Sequence, residues 1–222
     1  MMSDFDNCKY KQIVFLCQKL IISSEKYSQV SYTQMNFLKT IGQGIAGVML
    51  EKPKYKLAEE KAEGYEERHY EAARWVSTNV QSMSRESAGS TGFRRLFKYI
   101  TGENKPGIKV DMTAPVATRI VPGAGPNCES SFTVSFYIPP KHQDSPPEPT
   151  GEGVFIEEFS EMTVYVSSFG GFASEEQWID EARILSEKLK DKSIHQEFYF
   201  TAGYDSPFKL FNRCNEVWFV KK

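Results

Sequence analysis

The strongest constraint on this chain is that its second half repeats the grammar of its first. YEERHYEAARWVSTN pairs loosely with FIEEFSEMTVYVSSF, and further on DMTAPV pairs with GYDSPF. The first match sets Tyr70 against Phe159, an offset of 89; the last sets Met112 against Tyr204 and Pro115 against Pro207, an offset of 92. Between the matched segments each half carries one helical pattern. Similar offsets point to a duplicated β-α-β-β unit. One such unit has too little apolar surface for a core of its own. The expected fold is therefore α+β, a single curved sheet with two main helices through which both halves share one core.

The clearest strand sets Phe132, Val134, Phe136 and Ile138 on one face and Thr133, Ser135 and Tyr137 on the other. Tyr65 to Val80 and Val154 to Phe169 read as extended segments, as do Glu197 to Tyr204 and Glu216 to Lys221. Lys109 to Ile120 reads as a strand bent at Pro115, because proline donates nothing to a central ladder. A helix follows Thr91, with Phe93, Leu96, Phe97 and Ile100 on one face and Gly102 as its stop. A second spans Glu175 to Leu189, burying Trp178, Ala182, Leu185 and Leu189, with Ser174 and Gln177 as a capping box. Phe93, Phe97, Phe132, Phe136, Trp178 and Trp218 are expected to fill the space between helices and sheet, the alternative being a groove whose aromatic faces bind a flat apolar ligand.

Residues 1–63 read as an extension and linker, and residues 64–222 as the domain. The apolar run Ile13 to Ile22 is broken by Gln18 and Lys19 and is too short to span a bilayer. Asp4, Asp6 and Glu25, with no arginine before residue 60, argue against a transit peptide. Phe37 to Leu50 reads as a tether, and Glu51 to Gly64 as a charged linker with a short helix through KLAEEKAE as the local alternative.

Little in the sequence supports enzyme chemistry. The 27 Lys and Arg against 29 Asp and Glu provide no overall positive field for a nucleic-acid backbone. GQGIAG lacks the full spacing of a phosphate loop, and GxSxG, HExxH and EF-hand patterns are all absent. Four widely spaced cysteines fit a reduced, cytoplasmic chain, with a secreted one as the alternative. The carboxylates of EERHYE and FIEEFSE read as surface or ion-pair groups. Among the three histidines, His69 stands out, since a neutral imidazole can ligate a metal such as haem iron; an exposed strand histidine is the plainer alternative.

From Gly64 to Lys222 the chain resembles the SOUL, or haem-binding protein, family, through YEERHYEAARWVST, KVDMTAPV, SFTVSFYIPP, VFIEEFSEMTVYVSSFGGF and FYFTAGYDSPFKLFNRCNEVWFV in that order. RHY at residues 68–70 matches the branch whose first-strand motif carries a histidine. The resemblance implies a distorted eight-stranded barrel or curved sheet built from two β-α-β-β halves and flanked by two helices. It implies a cytoplasmic protein that binds haem (haem b) or another tetrapyrrole without catalytic turnover, with His69 as cofactor-binding residue and axial metal ligand. The alternative it carries is a haem-independent interaction module promoting mitochondrial permeability change or cell death. In that reading WIDEARILSEKLKDK, likened to a BH3 helix, binds an anti-apoptotic partner.

Overall fold

Among the described residues the chain forms nine strands: β1 (Tyr55–Leu57), β2 (Glu66–Tyr70), β3 (Ala73–Ser82), β4 (Val116–Val121), β5 (Ser130–Tyr137), β6 (Val154–Phe159), β7 (Met162–Phe169), β8 (Tyr199–Gly203) and β9 (Asn215–Val220). Two helices join them, α1 (Arg85–Ile100) and α2 (Glu175–Lys188). The computed structural model describes residues 50–59, 63–125 and 128–222; the apolar runs before residue 50 and the GQGIAG stretch lie outside the described residues.

All nine strands form one antiparallel sheet in the order β1-β2-β7-β9-β8-β4-β5-β3-β6. Without β1, the order reads identically from either end once β2 is exchanged for β6, β3 for β7, β4 for β8 and β5 for β9. The connections force the sheet to curl. Tyr70 ends β2 near one edge and Ala73 begins β3 near the other, yet three residues reach at most about 11 Å. The link from Phe159 in β6 to Met162 in β7 imposes the same limit, and the result is a half-barrel.

Several boundaries differ from the sequence reading. The extended stretches 65–80 and 154–169 are each two strands on opposite flanks of the sheet, broken at Glu71–Ala72 and at Ser160–Glu161. DMTAPV leads into β4 and ends on its first residue, whereas GYDSPF begins on the last residue of β8, so that match does not join equivalent positions. The strand expected from Lys109 begins only at Val116, beyond Pro115. Tyr55–Leu57, read as linker or helix, is a strand because its backbone pairs with Arg68–Tyr70, and it brings the expected eight strands to nine.

Both helices cover one face of the sheet. Ser84 caps α1 by accepting from the Ser87 amide, which starts the helix six residues before the expected Thr91. Glu175, the first residue of α2, accepts from the Arg85 amide at 3.0 Å and from Ser84 Oγ at 3.3 Å, tying the two N-termini together. The Ser174–Gln177 capping box is present, and Trp178, Ala182, Leu185 and Leu189 are buried against Tyr165, Val217 and Phe219. Phe93 meets Phe136, and Phe132 packs with Ala88, as expected of an interface between helix and sheet. Trp218 does not belong there: alternation along β9 turns Val217 and Phe219 toward α2 and Trp218 inward, among Tyr70, Trp75, Phe159 and Phe200.

Gly92 marks the closest approach of α1 to the sheet. A Cβ there would lie 2.5 Å from Val134 Cγ2 and 2.6 Å from its Cβ, a branched side chain with little room to yield. Gly92→Ala is thus expected to lose stability. The gain in helix propensity is about 1 kcal/mol, but overpacking costs about 1–3 kcal/mol. A lowered midpoint in chemical denaturation checks this; a raised one refutes the close packing.

Candidate functional site

The inner face of the sheet buries a charged pair. Arg68 on β2 and Glu216 on β9 keep only 6% and 5% of their side chains exposed, with Arg68 Nη1 donating to Glu216 Oε1 at 3.0 Å. Tyr204 Oη and Trp218 Nε1 donate to Glu216 Oε2 at 2.7 and 2.8 Å, and Ser168 Oγ donates to Oε1 at 3.3 Å. The Tyr55 ring covers the Arg68 guanidinium at 4.6 Å. Burial by itself lowers the Arg68 pKa, but Glu216, Tyr70 and Glu66 outweigh it and hold the group charged. With its donors and acceptors filled, this network is a closed structural element.

The same burial acts on the nearby phenols. It pushes Tyr70 up to about 12 against the Arg68 hydrogen bond, and it raises Tyr204 with help from the Glu216 carboxylate. Tyrosine in an unfolded chain titrates near about 10, so the fold favours the neutral phenols. The stabilising contribution of Tyr70 is complete below pH of about 10 and is lost as pH rises through about 12. Thermal midpoints are therefore expected to fall across this window, and Tyr70→Phe is expected to shallow the fall. An unchanged slope in Tyr70→Phe would count against the assignment.

His69 occupies a different setting. In β2, Arg68 and Tyr70 face the inner core, so alternation sends His69 to the opposite face, beside Thr163 of β7 and Lys56 of β1. Its side chain is 43% exposed. Nδ1 lies 3.1 Å from Thr163 Oγ1, and Nε2 lies 2.9 Å from Glu161 Oε1 in the turn between β6 and β7. Tyr70 and Trp75 both belong to the inner core and share no pocket with His69. The surroundings are polar, with Lys221 bonded to Glu67 at 2.8 Å.

Both ring nitrogens are engaged, Nδ1 by Thr163 and Nε2 by Glu161; with Glu161 moved aside, a half-exposed imidazole oriented through Nδ1 would fit as a single ligand to haem iron. Among the described residues no group of three or more His, Cys, Asp or Glu is placed to hold a metal ion.

Two further surfaces were not legible beforehand. A cleft of about 200 Å³ opens at the rim between Phe159, Met162, Phe198, Phe200 and Glu161. That is smaller than the ~300–1,000 Å³ of pockets that enclose drug-sized ligands. The loop between β8 and β9 exposes Phe208, Leu210 and Phe211, the last at 79%, and Phe172 is also exposed, its ring 4.3 Å beneath the Arg213 guanidinium. Arg213 holds the loop by donating to the carbonyls of Ser206 and Lys209 at 2.6 and 2.8 Å. Burial raises the pKa of Cys214 at the end of this loop, which keeps it a thiol of low reactivity.

The chain is 47% identical over 182 residues to heme-binding protein 2 of Homo sapiens, covering 80% of this chain and 89% of the human protein. It is 36% identical over 158 residues to heme-binding protein 1 of Xenopus laevis, covering 71% of this chain and 83% of the frog protein. Among solved structures, the C-terminal domain of EcmrR matches with a TM-score of 0.54 at 10% identity, over 76% of this chain and 98% of that domain, a likeness of fold alone. The sequence model described as SOUL heme-binding protein matches residues 50–220, from just before β1 to the end of β9. The chain belongs to the SOUL heme-binding protein family.

Proposed function

We propose that this protein binds haem or a related tetrapyrrole in the cytoplasm, without catalytic turnover, and that His69 is the axial ligand to the iron. The observation that carries the reading is the family match over residues 50–220. The position of His69 supports its part: the ring is reachable, and Thr163 orients it. Haem, taken here as haem b, would supply a ferric or ferrous centre and two propionates. Lys56, paired with His69 across the strands, would offer a propionate positive charge, and Lys221, whose amide donates to the Thr163 carbonyl, could do so by exchanging its partner Glu67. Because the surface around His69 is polar, coordination by His69 and these charges, more than apolar burial, would hold the group. We attribute the symmetric strand order to duplication of one β-α-β-β unit.

Titration with ferric haem at controlled stoichiometry, followed by absorption and electron paramagnetic resonance, tests the site. Wild type is expected to saturate, and His69→Ala to change the ligand-field spectrum with little change in unfolding of the haem-free protein. No saturable binding would refute haem binding. Identical spectra in both proteins would remove His69 as the ligand, and loss of binding in Phe211→Ser would then move the tetrapyrrole to the loop between β8 and β9.

A further inference from the structure

We infer that Glu161 is a latch on His69, holding its outer ring nitrogen closed to an incoming metal until the turn between β6 and β7 releases it. The inference rests on the reading of His69 as the iron ligand. A neutral imidazole carries one proton and one lone pair. An ionised carboxylate can only accept, so the contact of Glu161 Oε1 with Nε2 at 2.9 Å requires the proton on Nε2. Nδ1 then carries the lone pair and accepts from the hydroxyl of Thr163 at 3.1 Å. This is the tautomer in which Nε2 cannot bind a metal.

The partner on the other side suits a switch. A threonine hydroxyl both donates and accepts, so when Glu161 leaves, the proton can pass through solvent from Nε2 to Nδ1 and Nδ1–H can donate to Thr163 Oγ1 instead. The lone pair is then on Nε2, pointing outward. Metal-bound histidines use this arrangement, with the second nitrogen donating to an oriented acceptor. The two partners differ in freedom. Thr163 is fixed within β7 directly opposite His69, whereas Glu161 is 67% exposed in a turn and can swing away without disturbing the sheet. Glu161 is a positioning residue, acting on the metal only through His69.

The test compares wild type with Glu161→Ala and with Glu158→Ala, a neighbouring carboxylate that is 65% exposed and lies near Arg74 instead. Two measurements are made on each. The first, on the haem-free protein, is the rate at which diethyl pyrocarbonate modifies His69, which requires a free ring lone pair; the second is ferric-haem affinity with its spectrum. Glu161→Ala is expected to speed modification and tighten haem by about two- to fivefold, the worth of an exposed charged contact. The histidine-ligated spectrum should stay unchanged, and Glu158→Ala should match wild type in both measurements. An unchanged modification rate in Glu161→Ala overturns the latch, as does a histidine-ligated spectrum titrating at wild-type affinity. Equal gains in Glu158→Ala also overturn it, since they assign the effect to net charge. If no variant shows a histidine-ligated spectrum, the reading of His69 as ligand fails by itself, and the modification rate still decides whether Glu161 closes the ring.

Discussion

Glu216→Ala is expected to lower stability by about 3–5 kcal/mol, the cost of removing one member of a buried ion pair. The loss has several parts. Arg68 keeps only Glu66 as a carboxylate partner, and that side chain is 53% exposed. Tyr204 Oη and Trp218 Nε1 each lose an acceptor inside the sheet. Chemical denaturation measures the change. Replacing both charged groups, as Arg68→Met with Glu216→Leu, should recover most of it, because two well-packed apolar side chains avoid the desolvation that the pair only offsets. If the double variant is as unstable as the single one, the network contributes more than its charges.

Leu185→Ala is expected to cost about 2–5 kcal/mol, through lost burial and the cavity left behind. Leu185 is wholly buried, with Trp178 at 4% and Leu189 at 0% on the same face of α2. The apolar stripe within WIDEARILSEKLKDK is therefore committed to β7 and β9, and a partner protein could take it only by opening the core. Thermal and chemical unfolding of the isolated protein check this. A variant as stable as wild type would mean that the face is not spent on the core, and would favour the interaction reading instead.

The sequence exposed periodicity but concealed long-range pairing. The helix face from Trp178 to Leu189 and the alternation from Phe132 to Ile138 were legible, since each depends on neighbours a few residues away. The separation of β2 from β3 was not, because Glu71 and Ala72 look like part of one extended run and only the sheet shows that their flanking strands lie near opposite edges. Tyr55–Leu57 is short and charged, and it becomes a strand only through pairing with Arg68–Tyr70. Alternation put His69 and Tyr70 on opposite faces. Glu161, 92 positions away from His69, was visible only as one more acidic residue in FIEEFSE. The buried Arg68–Glu216 pair was equally hidden, since its partners are separated by 148 positions.

The position of β9 has a consequence for the order in which this protein can be made. Residues 215–220 form the seam between β7 and β8, so without them the sheet is two disconnected pieces, β1-β2-β7 and β8-β4-β5-β3-β6. A growing chain emerges from the ribosome N-terminus first, at about 5–20 residues per second. The helices and the β4–β5 hairpin can form on the way, but every earlier strand must wait for β9 before the sheet closes. Until then Tyr70 lies in a different piece from Phe159 and Phe200, and Trp218, which packs with all three in one core, is missing. Before β9 is made, the inner edges of β7 and β8 lack their partner strand, so closure of the inner core depends on the placement of a six-residue strand.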